Sequence, residues 1–199
     1  MSESKAARFR FVGDPEAIIT QTKQWVDRTI VRLNICPFAK AEVQAQTIHY
    51  YVQENAPNEQ IIENLLTQCI ELDQNDARAT TLFILNIPSL GFYSYLDLLE
   101  LAEQCLVNNG YEGIYQLASF HPDYCFGDSD PFDAANFTNR SPYPMFHLIR
   151  EADITKALST FLRPESIPDR NIEYTRRKGH QHMNDVLMSC YDVDNKNIK

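Results

Sequence analysis

The chain has 199 residues, of which 44% are hydrophobic and 23% charged, and its formal net charge is -9. These are the values of a globular protein with a core of its own, and the acidic excess excludes nucleic acid and anionic membranes as default partners. No apolar run is long enough to cross a bilayer, and the opening MSESKAARFRF has no apolar leader core, so the chain reads as a cytoplasmic protein with no membrane partner.

Residues 1–10 read as a flexible tail, 11–192 as a single α/β domain and 193–199 as a second flexible tail. Asp14-Pro15-Glu16 is a helix start, with Asp as the cap, Pro at the first helical position and Glu complementing the dipole. Ile18, Thr22, Trp25, Val26, Ile30 and Leu33 then fall on one helical stripe, with Trp25 as core. Asn34-Ile35-Cys36-Pro37 breaks that helix, because the residue before a proline is pushed out of the helical region. Pro37 can open a second short helix over 38–44, with Cys36 as its N-cap. There the dipole and the free N–H groups would favour a thiolate; the alternative is a buried structural cysteine at a kink. The five cysteines include no CxxC pair, so a disulfide framework is not expected.

Thr47–Val52 has the β-branched and aromatic content of a strand, and Asn58 caps a helix that carries Ile61, Ile62, Leu65 and Cys69 on one face. Thr80–Ile87 is nearly continuous apolar sequence, the pattern of a central strand covered on both sides. Pro88-Ser89-Leu90-Gly91 is a turn, and a helix follows from Tyr93 to Val107, stopped by Asn108-Asn109-Gly110. Ile114–Phe120 and Met145–Arg150 are the third and fourth strands. Asp153 caps the next helix, Pro164 and Pro168 punctuate a loop, and a further helix ends at Arg176-Arg177-Lys178-Gly179. A last helical piece covers Met183–Tyr191. The alternation of strands and helices predicts an α/β fold: a small sandwich with a four-stranded mixed sheet, an N-terminal helix and C-terminal helices.

The long aperiodic segment between the third and fourth strands concentrates the reactive side chains, and its aromatics argue that it is ordered. His121, just past the third strand, is the general-base candidate, since an imidazole titrates near neutral pH. Arg140 is the natural fork for a carboxylate or phosphate, with Asn139 and Ser141 as neutral hydrogen-bond partners and Arg150 as a second cation. An internal salt bridge is the other reading of Arg140. His147, on an apolar strand, reads as a core histidine. Asp128-Ser129-Asp130 lacks the glycine and the closing glutamate of a calcium loop, and no Cys/His pair has zinc spacing, so no metal site is assigned.

The blocks Cys36-Pro37-Phe38-Ala39, Ala118-Ser119-Phe120-His121-Pro122, Thr138-Asn139-Arg140-Ser141-Pro142-Tyr143-Pro144 and His147-Leu148-Ile149-Arg150-Glu151 resemble the uncharacterised bacterial family known as domain of unknown function 1415. The resemblance spans about Trp25 to Leu158, and the TNRSPYP block is its most specific part. It implies no activity, cofactor or catalytic residue. The residues themselves point to an enzyme acting on a small anionic metabolite. Arg140 and Arg150 would hold the anion, His121 would move protons, and Cys36 would serve as nucleophile if the fold brings it near. A non-catalytic protein binding a metabolite or partner, and a metal-dependent hydrolase, are the alternatives. No cofactor and no oligomeric state are implied.

Overall fold

The computed structural model describes residues 13–88, 90–159 and 161–192. The expected tails, 1–10 and 193–199, lie outside the described residues, as does Ser89 in the turn after the second strand. Four strands, β1 (Ile48–Glu54), β2 (Thr80–Asn86), β3 (Tyr115–Phe120) and β4 (Met145–Arg150), form one mixed sheet in the order β1-β2-β4-β3. β1 and β2 are parallel, and β4 runs antiparallel to both of its neighbours, β2 and β3. Thus β1, β2 and β3 share one direction, as crossover connections require, and β4 is inserted between the second and third of them.

The β2 sequence TTLFILN is buried at every position because both faces of the sheet are covered. On one face Phe83, Leu85 and Phe146 meet α3 (Asn58–Gln74) and α4 (Phe92–Asn108) through Ile61, Leu65, Tyr95 and Leu98. On the other, Leu82, Ile84 and Met145 meet the N-terminal helix, together with Met183 and Leu187 of α7 (His180–Ser189). The result is a helix–sheet–helix sandwich, as the alternating pattern implies. Among the described residues, no helix is long and apolar enough to cross a membrane.

The N-terminal helix starts as its sequence dictates. Pro15 opens α1 (Pro15–Trp25), and the Asp14 carboxylate accepts from the Ala17 amide at 3.3 Å. At Val26 the winding changes to a π-helix over Val26–Val31, closed by the Arg32 N–H donating to the Asp27 carbonyl at 2.9 Å. The widened turn turns Trp25, Val26, Thr29 and Ile30 all inward, and π segments of this kind recur at functional sites.

The helix after Pro37 corrects one expectation. A turn closed by the Ala39 N–H on the Cys36 carbonyl, at 3.3 Å, delays α2 to Ala39–Ala45. Phe38, not Cys36, holds the capping position, so no helix start acts on the Cys36 sulfur. After β4 the chain enters α5 (Glu151–Ser159) with no intervening loop, so Asp153 sits inside its first turn. α6 (Ser166–Lys178) takes Pro168 into its own first turn, where a missing N–H leaves nothing unpaired, and it ends on Gly179 with φ 82°.

Candidate functional site

The segment between β3 and β4 is ordered by its own side chains. A 3₁₀ helix over Ala134–Thr138 sits at its centre, capped by the Asp133 carboxylate accepting from Ala135 N–H at 2.9 Å. Asn136, fully buried, ties the strands of the loop together: its Oδ1 accepts from Phe126 N–H at 3.1 Å and its Nδ2 donates to the Asp130 carbonyl at 2.9 Å. Arg176 of α6 grips Asp133 from outside at 2.7 Å and holds its carboxyl down at about 2.

Arg140 serves this same scaffold. Its Nε donates to the Tyr124 carbonyl at 3.0 Å and Nη2 to the Pro131 carbonyl at 2.8 Å, while the guanidinium lies 4.6 Å over the Phe137 ring. Among the described residues no acid pairs with it; its third contact is Nη1, 3.5 Å from His180 Nε2, and it is not among the residues that line the cavity described below. Ser141, also buried, donates to the Tyr143 carbonyl at 2.6 Å. Asn139 donates through Nδ2 to the Ser119 carbonyl at 3.1 Å, and its backbone carbonyl accepts from His121 N–H at 3.2 Å. Arg150 lies elsewhere. Its guanidinium donates to the Leu72 carbonyl in the last turn of α3 and, at 2.9 Å, to the Ala79 carbonyl, a cation closing a helix end.

His121 is 1% exposed, and both of its nitrogens are engaged. Nδ1 accepts from Asp123 N–H at 3.0 Å, which puts the proton on Nε2, 3.0 Å from the Leu90 carbonyl. Burial lowers its pKa. The ring joins β3 to the turn before α4, and it is not among the residues that line the cavity described next.

That cavity, of about 450 Å³, lies between the sheet and α6. Leu82, Ala118, Phe120, His147 and Ile149 form its floor. Trp25, Val26, Ile30 and Cys36 form one wall, and Ile167, Pro168, Asn171 and Ile172 of α6 the roof. Among the described residues, none that lines it is charged. The floor follows from strand register: Tyr50, Leu82, His147 and Ala118 are paired across the sheet in one row. The π segment supplies the wall. The roof is pinned by Asn171 Nδ2, which donates to the Ile35 carbonyl at 2.7 Å, one residue before Cys36.

Two polar groups stand out among those walls. Cys36 brings a free thiol, the only sulfur among the described residues that line the cavity. His147 brings an imidazole whose Nε2 lies 2.8 Å from the Thr80 hydroxyl. That hydroxyl donates its one hydrogen to the Leu148 carbonyl at 2.6 Å, so toward His147 it accepts. Nε2 therefore carries the ring proton, and among the described residues nothing donates to Nδ1. Burial pushes the imidazole down to about 4, so it is neutral near pH 7. Of the residues singled out from the sequence, the fold gathers Cys36 and Asn139 at this cavity, keeps Arg140, Ser141 and His121 in the loop scaffold, and sets Arg150 apart at the end of α3. His147, Thr80 and Asn171 went unremarked as site residues. The one signal for His147 was its alternation with Met145 and Ile149, which puts a titratable ring on the inward face of a strand. Among the described residues, no three His, Cys, Asp or Glu side chains converge as a metal site would require.

A family model described as protein of unknown function (DUF1415) matches residues 17–185. No curated protein and no solved structure matches the chain.

Proposed function

The chain belongs to this family of proteins of unknown function, DUF1415, and from its own geometry we propose that it binds a small, mainly apolar molecule in the cavity between the sheet and α6. The observation that carries the reading is an uncharged cavity of about 450 Å³ whose walls are almost wholly hydrocarbon and whose polar groups are few. That volume lies within the range of ligand sites, roughly 300–1,000 Å³, and sparse polar groups in an apolar shell are their usual makeup.

The test is a thermal-shift screen with small apolar compounds, since a ligand at about a hundred times its dissociation constant stabilises by roughly 2.7 kcal/mol. Ala118→Phe puts a ring on the cavity floor and should abolish the shift of every hit. A shift that survives in that variant places binding elsewhere and defeats the reading.

A second reading, an enzyme with Cys36 as nucleophile, is favoured by one observation: Cys36 and His147 line the same cavity. Alkylation of Cys36 should then be slowed by a cavity ligand, while that of Cys190, buried at the C-terminal end of α7 and absent from the cavity lining, should not change. The anionic-metabolite reading has less support, because both of its arginines donate to backbone carbonyls. A single domain over 11–192 and a cytoplasmic setting remain part of the proposal, supported by five free thiols.

A further inference from the structure

The cavity ligand's chemistry can be narrowed further. We infer, resting on the cavity reading above, that the ligand is a neutral molecule with an apolar body and one hydroxyl or N–H group that donates to Nδ1 of His147, and that Thr80 fixes this polarity by holding the ring's proton on Nε2. The chain of donors is set from the far side of the sheet position. The backbone carbonyl of Leu148 can only accept, so the Thr80 hydroxyl points its hydrogen there at 2.6 Å. The same oxygen then accepts from His147 Nε2 at 2.8 Å. A neutral imidazole has one donor and one acceptor, and with Nε2 as donor the acceptor is Nδ1.

A ketone or ether oxygen brought to that nitrogen sets lone pair against lone pair. A carboxylate does the same and adds a charge, and among the described residues neither arginine nor lysine lines the cavity to balance it. A bare hydrocarbon fits the walls and leaves Nδ1 unpaired. An ammonium would bring a donor together with a charge that the lining leaves uncompensated. Burial reinforces the arrangement, because an imidazole pushed down to about 4 stays an acceptor throughout the neutral range. The remaining polar groups of the lining are less free. Asn171 donates to the Ile35 carbonyl and accepts from Arg170 at 3.0 Å, and Thr138 donates to the Ala135 carbonyl at 2.9 Å.

The experiment uses four probes of one shape: propylbenzene, 4-propylphenol, 4-propylbenzoate and butyrophenone. Their binding to the full chain is measured by calorimetry or by competition with a screening hit. In the wild type the phenol should bind roughly three- to tenfold tighter than propylbenzene, the gain of one net hydrogen bond, with the ketone and the benzoate weaker than either. His147→Phe should erase the preference for the phenol while propylbenzene still binds, which shows that the variant is folded and its cavity intact. Thr80→Val should release the ring to carry its proton on Nδ1, so that butyrophenone gains affinity and the phenol loses its advantage. A destabilised fold alone would weaken all four probes together and would not invert their order.

Equal binding of phenol and hydrocarbon by the wild type would overturn this inference and leave the cavity reading standing. Tightest binding of the benzoate would overturn it in favour of an anion site. If no probe bound at all, this inference and the cavity reading would both fall.

Discussion

His147 is protonated only against the fold. Burial pushes its imidazole down to about 4 from the ordinary 6.5. Between pH 6.5 and 4 the unfolded chain therefore takes up a proton that the folded chain refuses, and stability falls as the pH drops through that window. The full effect is on the order of 3 kcal/mol, and His121, also lowered by burial, acts in the same direction. His147→Leu should remove its share. Urea unfolding at pH 7 and pH 5 should show a smaller difference for the variant than for the wild type, and equal differences would mean that the ring is hydrated in the native state. Arg140 makes the opposite kind of contribution, through hydrogen bonds rather than titration. Arg140→Ala should cost about 2–4 kcal/mol at any neutral pH, because it leaves the Tyr124 and Pro131 carbonyls without a charged donor and uncovers Phe137. Binding in the cavity should survive that change. The sequence offered only acids and anionic ligands as partners for this guanidinium. Backbone carbonyls carry no mark in a sequence, which is why the role of this arginine could not be read there. His147 is the converse case. Its neighbours marked it as inward, but the Thr80 hydroxyl that makes it useful lies 67 positions away in the chain.

At the scale of elements, α6 is a part of the cavity that the apolar core holds weakly. It buries only Asn171 and Thr175 fully, and polar links fasten it at both ends: Asn171 and Arg170 to the turn before Cys36, Arg176 to Asp133. Such an element opens at lower cost than the strands beneath it. Asn171→Ala should cost roughly 1–2 kcal/mol, and amide exchange should quicken across α6 and the 34–36 turn while β2 and β4 keep their protection. A uniform loss of protection would mean that α6 is part of the global unfolding unit. The strands and long helices were legible because their apolar periods are strong, and β4 runs from Met145 to Arg150 as read. α6 was partly hidden by Pro168, which reads as a loop residue yet sits where a helix tolerates it. The π winding was hidden altogether. The same apolar stripe suits an α-helix and a π-helix, and only packing against the sheet selects between them.

For the molecule as a whole, the cavity sets stability against use. Ala118→Phe, the variant that should block binding, should also raise the stability of the free protein by about 0.5–2 kcal/mol, as cavity-filling changes commonly do. Chemical denaturation of the unliganded variant checks this, and a large loss of stability would mean that the space is smaller than it looks. The family match over residues 17–185 reaches beyond the blocks from Trp25 to Leu158 and takes in all of α6, the cavity roof. Strand order was not legible, since no local pattern announces that the last strand lies inside the sheet. That insertion has a consequence in time. The chain leaves the ribosome at about 5–20 residues per second, so β4 is complete only roughly 2–6 seconds after β3. The gap between β2 and β3 stays open through that interval, with two unpaired strand edges facing it. The strand that closes it is the one that carries His147. A nascent chain thus completes its sheet and receives the polar group of its cavity in the same late event.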